Sequence, residues 1–264
     1  MKQGMFTISA NRRLTQNVCE MILAGDTSAC QRPGQFLNIK LDGLFLRRPI
    51  SVCDYDDEEI KIIYKIVGKG TRAMAEMRSG QTLDVLTGLG NGYDSSKAGT
   101  SPVLIGGGVG IPPLYGLLKA LQRQRAADAK AARAAGGLAH GESAGTEKIR
   151  VILGFNTAEE IFYQEEFEAA GAEVLLATAD GSAGVKGFVT DVLAGLDYSY
   201  FYTCGPEAMF RAIERVAKTS GQYSFEERMG CGFGACMGCS CETKYGSKRI
   251  CKDGPVLERE EILW

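Results

Sequence analysis

Four cysteines near the C-terminus, Cys231, Cys236, Cys239 and Cys251, follow the spacing C-x4-C-x2-C-x11-C. Three thiols in so short a stretch, with a fourth arriving later, describe a loop that wraps a 2Fe–2S cluster. The stretch Cys231-Gly-Phe-Gly-Ala-Cys236-Met-Gly-Cys239 places Gly232, Gly234 and Gly238 among the thiols. Without Cβ atoms at those points the backbone curls tightly and its N–H groups approach inorganic sulfide closely. The x4 and x2 gaps are those of plant-type ferredoxins, whereas the last gap is much shorter and demands a compact variant. Cys241 keeps the x4 gap but breaks x2, and reads as a spare thiol beside the cluster.

Two other readings of these cysteines are weaker. A structural zinc site prefers two C-x2-C-like pairs, often with histidine, and the only histidine, His140, lies far away in sequence. Disulfides are disfavoured by an odd cysteine count of 9 and by an N-terminus without an export signal. Cys19, Cys30 and Cys53 read as small core residues. These thiols point to a reducing cytoplasm. A net charge of −2 gives no reason to expect nucleic acid or an anionic membrane as a partner. No apolar run approaches the ~20 residues of a membrane-spanning helix.

The 264 residues divide by rhythm into three segments, 1–98, 99–221 and 222–264. The first holds short β-rich runs at Met5–Ser9, Val18–Leu23, Gln35–Leu41, Ile60–Val67 and Thr82–Leu86, separated by Gly, Asp or Pro turns, with a helix at Thr71–Arg78. Such a series predicts a small antiparallel barrel or sandwich. From Ser101 strands and helices alternate: strand 102–106, a helix from Pro113 to about Arg133, strand 149–154, helix 160–170, strand 173–177, helix 187–194 and strand 200–204. That alternation predicts a doubly wound parallel sheet with helices on both faces. Residues 126–147 are rich in Ala and Gly and read as a helix end running into a flexible loop, with His140 a solvated side chain within it. The last segment is too small for its own core, so its fold depends on the metal centre and on docking.

Two loops carry further chemistry. Gly106-Gly107-Gly108-Val-Gly110-Ile-Pro-Pro follows a strand and opens a helix, so its N–H groups are placed to meet phosphate oxygens. Proline replaces the final glycine of the dinucleotide fingerprint, which leaves a plain tight turn as the alternative. Thr203-Cys204-Gly205-Pro206 ends another strand at the crevice where open α/β sheets bind ligands, and Cys204 is either a core residue or a nicotinamide contact. Arg48 and Ser51, in Arg47-Arg-Pro-Ile-Ser, are suited to a pyrophosphate and a flavin, or else to an ordinary barrel strand. Gly68-Lys-Gly-Thr71 is a turn or a phosphate-capping helix start. One loop histidine permits no Ser/His/Asp set, so the chemistry belongs to cofactors.

A barrel with Arg-Pro-Ile-Ser, followed by a sheet with Gly-Gly-Gly-Val-Gly-Ile-Pro-Pro and Cys-Gly-Pro, resembles the ferredoxin reductase-like superfamily. The tail, Glu226-Glu-Arg-Met-Gly-Cys-Gly-Phe-Gly-Ala-Cys-Met-Gly-Cys with Lys248-Arg-Ile-Cys-Lys-Asp-Gly-Pro-Val, resembles the electron-transfer subunits of type B dihydroorotate dehydrogenases. The resemblance spans nearly the whole chain and fails only in the Ala/Gly-rich insert. It implies FAD contacts at Arg48, Pro49, Ile50, Ser51, Ile63, Tyr64, Lys65, Gly70 and Thr71, and cluster ligation by Cys231, Cys236, Cys239 and Cys251. NAD falls to Gly106, Gly107, Gly108, Gly110, Cys204, Gly205 and Pro206. Many members of the superfamily carry tyrosine at the place of Ile50; its absence leaves the cover of the flavin ring open, with Tyr64 a candidate to help. The implied activity is a relay between NAD and an FMN-containing catalytic subunit through FAD and the 2Fe–2S cluster, in a hetero-oligomer of two copies of each subunit that serves pyrimidine synthesis. A ferredoxin:NAD(P) oxidoreductase or sulfide dehydrogenase subunit would share every cofactor, and a redox-inactive zinc module is the reading from another class. Gly154-Phe-Asn-Thr-Ala lacks an arginine for a 2′-phosphate, which favours NAD over NADP.

Overall fold

The computed structural model describes residues 1–134 and 148–264; the loop expected after residue 134, with His140, lies outside the described residues. Six strands, β1 (Lys2–Arg13), β2 (Val18–Ala24), β3 (Phe36–Ile39), β4 (Arg48–Tyr55), β5 (Glu59–Lys65) and β6 (Thr82–Leu89), close an antiparallel barrel in the order β1-β2-β5-β4-β3-β6. Period-two alternation fills it: Ile8, Met21, Leu37, Ile39, Ile60, Ile62, Tyr64 and Val85 share one buried core. The Arg-Pro-Ile-Ser stretch is thus a barrel strand. Helix α1 (Lys69–Glu76) begins two residues before its expected start, because the Thr71 hydroxyl accepts the Val67 and Gly68 N–H groups at 2.9 and 3.2 Å and closes the turn early.

The second half alternates as expected through β7 (Val103–Gly107), α2 (Pro112–Ala134), β8 (Arg150–Phe155), α3 (Gln164–Ala169), β9 (Glu173–Thr178), β10 (Val185–Lys186), α4 (Val189–Leu193), β11 (Phe201–Cys204), α5 (Glu207–Val216) and β12 (Gly221–Ser224). The helix expected from residue 160 starts only at Gln164, since Tyr163 takes a left-handed φ of 66° and breaks the run. Alternate strand residues face two separate cores, one under α2 and α3 and one under α4 and α5. The sheet order is β10-β9-β8-β7-β11-β12-β15, and all pairs are parallel except the last. That edge strand, β15 (Val256–Glu258), comes from the cysteine tail and runs antiparallel to β12. The strands of residues 99–221 thus form the expected parallel sheet, and the tail adds one antiparallel strand at its edge. The tail adds a hairpin of β13 (Ser240–Thr243) and β14 (Gly246–Arg249), and buries Cys239, Ile250, Cys251 and Leu257 in the same core as Phe36 of the barrel. Among the described residues, no helix is long and apolar enough to cross a membrane.

Barrel and sheet are fastened by polar contacts as well as by packing. Glu20 of β2 is 3% exposed, and its carboxylate accepts from Tyr163 Oη at 2.7 Å and from Arg12 Nε at 2.8 Å. Burial pushes this carboxyl up, but the hydrogen bonds from Arg12 and Tyr163 and the charge of Lys61 outweigh it, and the net shift is downward from 4.5. Its stabilisation is therefore complete above the ordinary glutamate pKa and is lost as pH falls through the lower folded value. Tyr163→Phe keeps the backbone and removes one charge-assisted bond. We expect it to cost about 1.5–3 kcal/mol in urea unfolding at neutral pH, and the cost to shrink in acid. An equal cost at both pH values would show that the tyrosine hydroxyl does not act through the Glu20 charge.

Candidate functional site

Strand β4 pairs with β5 only from Val52 to Tyr55, opposite Ile60 to Ile62. Beyond that point β5 stays paired to β2 and β4 to β3, so the edges Arg48–Ser51 and Ile63–Lys65 are not paired with each other. The family resemblance places its expected flavin contacts on those two edges. Unpaired strand edges offer backbone donors and acceptors to a ligand. The helix start at Gly70 closes on the same place: a Cβ on Gly70 would lie 2.3 Å from Arg48 Nε and would push the guanidinium from its position. Arg48 Nη1 donates to the carbonyl of Leu46 at 2.5 Å, and among the described residues no carboxylate pairs with it. Its charge is left for an anionic group, as a pyrophosphate would require. Tyr64 is turned the other way. It is 2% exposed inside the barrel with its hydroxyl donating to Asn11 Oδ1 at 3.2 Å, so its ring does not cover a surface ligand. It shares the inward phase of Ile60 and Ile62, a signal present in the sequence.

The two glycine-bearing loops meet at the centre of the sheet. The chain runs from β7 outward to β10 and then returns to β11 on the other side of β7, which makes the β7/β11 boundary the switch point of the topology. Gly106 stands opposite Cys204 in register, so the loop after β7 and the Cys204-Gly205-Pro206 turn emerge side by side. They interlock closely. A Cβ on Gly110 would lie 2.3 Å from the Cys204 carbonyl oxygen and 2.5 Å from the Gly205 nitrogen, and one on Gly107 would lie 2.7 Å from Met209 Sδ. Gly108 has a φ of +52° and nothing near its Cβ position, leaving open space over the loop. Pro112 opens α2, where a missing N–H costs nothing. Burial raises the Cys204 thiol to about 12, against the hydroxyl of Ser224, so it is neutral and unsuited to nucleophilic work.

The tail loop presents its sulfurs in two pairs. Cys231 Sγ accepts N–H groups from Ala235 at 3.2 Å and Cys236 at 3.5 Å, and Cys236 Sγ accepts the Cys231 N–H at 3.5 Å. Cys239 Sγ accepts the Cys251 N–H at 3.3 Å. Among the described residues no three His, Cys, Asp or Glu side chains converge on one ion position. Two thiol pairs match the ligand set of a rhomb of two irons, with two ligands to each iron. Gly232 and Gly234 have φ of 80° and 93°, and Met237 also takes a left-handed φ, of 58°. Burial opposes ionisation of Cys231, but the surrounding N–H groups prevail and bring it down to about 6. Cys241 lines a cavity of about 300 Å³ together with Gly205, Pro206 and Phe225. One contact was not foreseen. Asn38 of β3 donates from Nδ2 to the Cys231 carbonyl at 3.0 Å, and its signal was a lone amide among Phe36, Leu37 and Ile39.

Two family descriptions match the sequence: the iron–sulfur cluster binding domain of dihydroorotate dehydrogenase B over residues 226–263, and an oxidoreductase NAD-binding domain over residues 104–215. A solved NADH-dependent reduced ferredoxin-NADP oxidoreductase, described in the context of flavin-based electron bifurcation, superposes with a TM-score of 0.80 at 26% identity, covering 99% of this chain and 90% of that one. A ferredoxin NADP+ reductase from Neisseria gonorrhoeae shares the fold with a TM-score of 0.65 at 16% identity, covering 85% of this chain and 100% of that one. Barrel, switch-point crevice and cysteine loop define a ferredoxin reductase-like oxidoreductase with an iron–sulfur module. The dihydroorotate dehydrogenase B (NAD(+)), electron transfer subunit, of Bacillus pumilus (strain SAFR-032) is 38% identical over 99% of this chain and 98% of its own length. That of Geobacillus sp. (strain WCH70) is also 38% identical, over 100% and 99%. The chain belongs to this family of electron transfer subunits.

Proposed function

We propose that the chain carries electrons between a dihydroorotate-oxidising, FMN-containing catalytic subunit and NAD, in a cytoplasmic assembly of two copies of each subunit that forms orotate for pyrimidine synthesis. The observation that carries this reading is the pair-wise cysteine loop held against the barrel, in a chain whose relatives of equal length bear that name. The division of labour follows the three segments: 1–98 for FAD, 99–221 for NAD and 222–264 for the cluster. When bound, FAD and the 2Fe–2S cluster supply the conversion between two-electron and one-electron transfer. The protein contributes placement. Arg48 meets the pyrophosphate, with Gly70 giving it room, while the edges at Pro49, Ile50 and Ser51 and at Ile63, Tyr64 and Lys65 offer backbone groups to the flavin. Gly106, Gly107, Gly108 and Gly110 bring N–H groups to the nucleotide phosphates, and Cys204, Gly205 and Pro206 wall the crevice. Cys231 and Cys236 would hold one iron, and Cys239 and Cys251 the other. At the end of β8 the Glu160 carboxylate accepts from Asn156 Nδ2 at 2.8 Å, and a carboxylate in that position repels the 2′-phosphate of NADP.

Isolation of the native complex under anaerobic conditions tests the reading. We expect flavin bands over a red-brown iron–sulfur envelope, and co-purification with an FMN-containing dihydroorotate oxidase. Recovery instead with a ferredoxin or a glutamate synthase-like subunit would replace the partner and keep the cofactors. A colourless, zinc-containing protein would remove the redox reading altogether.

A further inference from the structure

We propose that Asn38 is the positioning residue that sets the cysteine loop on the flavin-bearing strands; this rests on reading that loop as the cluster ligand. Leu37 and Ile39 fill the barrel core, so by alternation Asn38 points outward, where the tail covers it to 1% exposure. Its Nδ2 donates to the carbonyl of Cys231, a group that can only accept, and this fixes which way the amide faces. The consequence is Oδ1, left buried with no donor; among the described residues it is the one buried side-chain nitrogen or oxygen without a partner. An orphaned buried acceptor is costly, and a strand among apolar neighbours is a poor place for asparagine. What the position gains in return is the Nδ2 bond to the cysteine loop.

Three further contacts place Asn38 at the junction. Gly232, next to Cys231, has a φ of 80°, and a Cβ on it would lie 2.3 Å from Asn38 Nδ2, so the loop is shaped around this amide. In the other direction Asn38 pairs in register with Pro49, within the edge that opens toward β5. Its own carbonyl accepts from Arg47 Nη1 at 3.2 Å, and Arg47 is anchored on Asp84. One side chain thus ties the backbone of the first cluster ligand to the strand pair assigned to FAD. Among the described residues it makes the single side-chain hydrogen bond between the barrel and residues 231–239.

The test uses the full chain, reconstituted anaerobically with iron, sulfide and FAD, with two near-isosteric variants. Asn38→Leu removes the bond and the orphan together, whereas Asn38→Asp sets a second acceptor against the Cys231 carbonyl. We expect both to keep FAD and full iron at assembly. Iron release to a chelator should quicken roughly five-fold in Asn38→Leu, the factor one ordinary hydrogen bond is worth, and more in Asn38→Asp. The low-temperature EPR spectrum of the reduced cluster should broaden in both. Gly232→Ala presses on the same contact from the loop side and must give the same broadening, which keeps the test decisive if either Asn38 variant fails to fold. In a double-mutant cycle, Asn38→Leu and Gly232→Ala should be non-additive. Wild-type EPR spectra and release rates in these variants, with only a lowered melting temperature, would overturn the positioning role. Wild-type protein with no iron or acid-labile sulfide would instead overturn the cluster reading itself.

Discussion

Replacing Cys239 by serine is expected to leave the purified protein almost without iron and acid-labile sulfide, while Cys241→Ser keeps both near the wild-type content. Cys239 is 3% exposed, packs in the core shared with Phe36 and Ile250, and receives the Cys251 N–H on its sulfur. Cys241 belongs to β13, where it pairs with Lys248, and it lines a cavity with Pro206. Serine is a poor iron ligand at neutral pH, because its hydroxyl does not ionise as a thiol does. Loss of one ligand from a four-thiolate set then removes the metal and, with it, the part of the tail's stability that metal binding supplies. Iron and sulfide assays on the two variants check this directly, and a reversed outcome would move the third ligand to Cys241.

The second large effect belongs to Gly110. In Gly110→Ala the new methyl would sit 2.3 Å from the oxygen and 2.4 Å from the carbon of the Cys204 carbonyl, and 2.5 Å from the Gly205 nitrogen. All three are backbone atoms at the end of β11, so no side-chain rotation relieves the clash and the two loops must separate by about 1 Å. We expect a loss of about 1–3 kcal/mol in stability and at least a tenfold loss in NADH affinity, as the crevice between the loops changes shape. Gly108→Ala is the contrast. Its Cβ meets nothing within 4 Å, and its cost is the left-handed φ, about 1–2 kcal/mol. Titration of flavin fluorescence with NADH, beside urea unfolding, separates the two. Equal nucleotide affinity in Gly110→Ala and wild type would remove this loop from the NAD site.

Much of this was legible in the sequence where local pattern and final environment agree. The strands at Val18, Ile60 and Thr82 carry period-two apolar residues and land in the barrel, and the glycine run after Val103 becomes the turn its composition demands. What stayed hidden is non-local. Strands β12 and β15 are four and three residues long, too short for a pattern, and find each other only through the fold. Strand β4, Arg48–Tyr55, is missing from the expected strands because its opening arginine and proline suit a loop as well as a strand edge. Tyr64 was read by residue type when its phase with Ile60 and Ile62 already turned it inward. Glu20 and Tyr163 are 143 positions apart, and neither announces a partner.

The antiparallel edge has a consequence for how the metal-bearing arm came to be and how it fails. Ser224 and Val256 face each other across β12 and β15, so residues 225–255 form an excursion whose two feet stand on the same sheet. The entropy of closing that excursion is met by strand pairing, independently of the metal. Stripped of its irons, the arm can lose order between its feet while the nucleotide-binding body stays folded, and a reductase without the arm needs only a short turn from Ser224 to Val256.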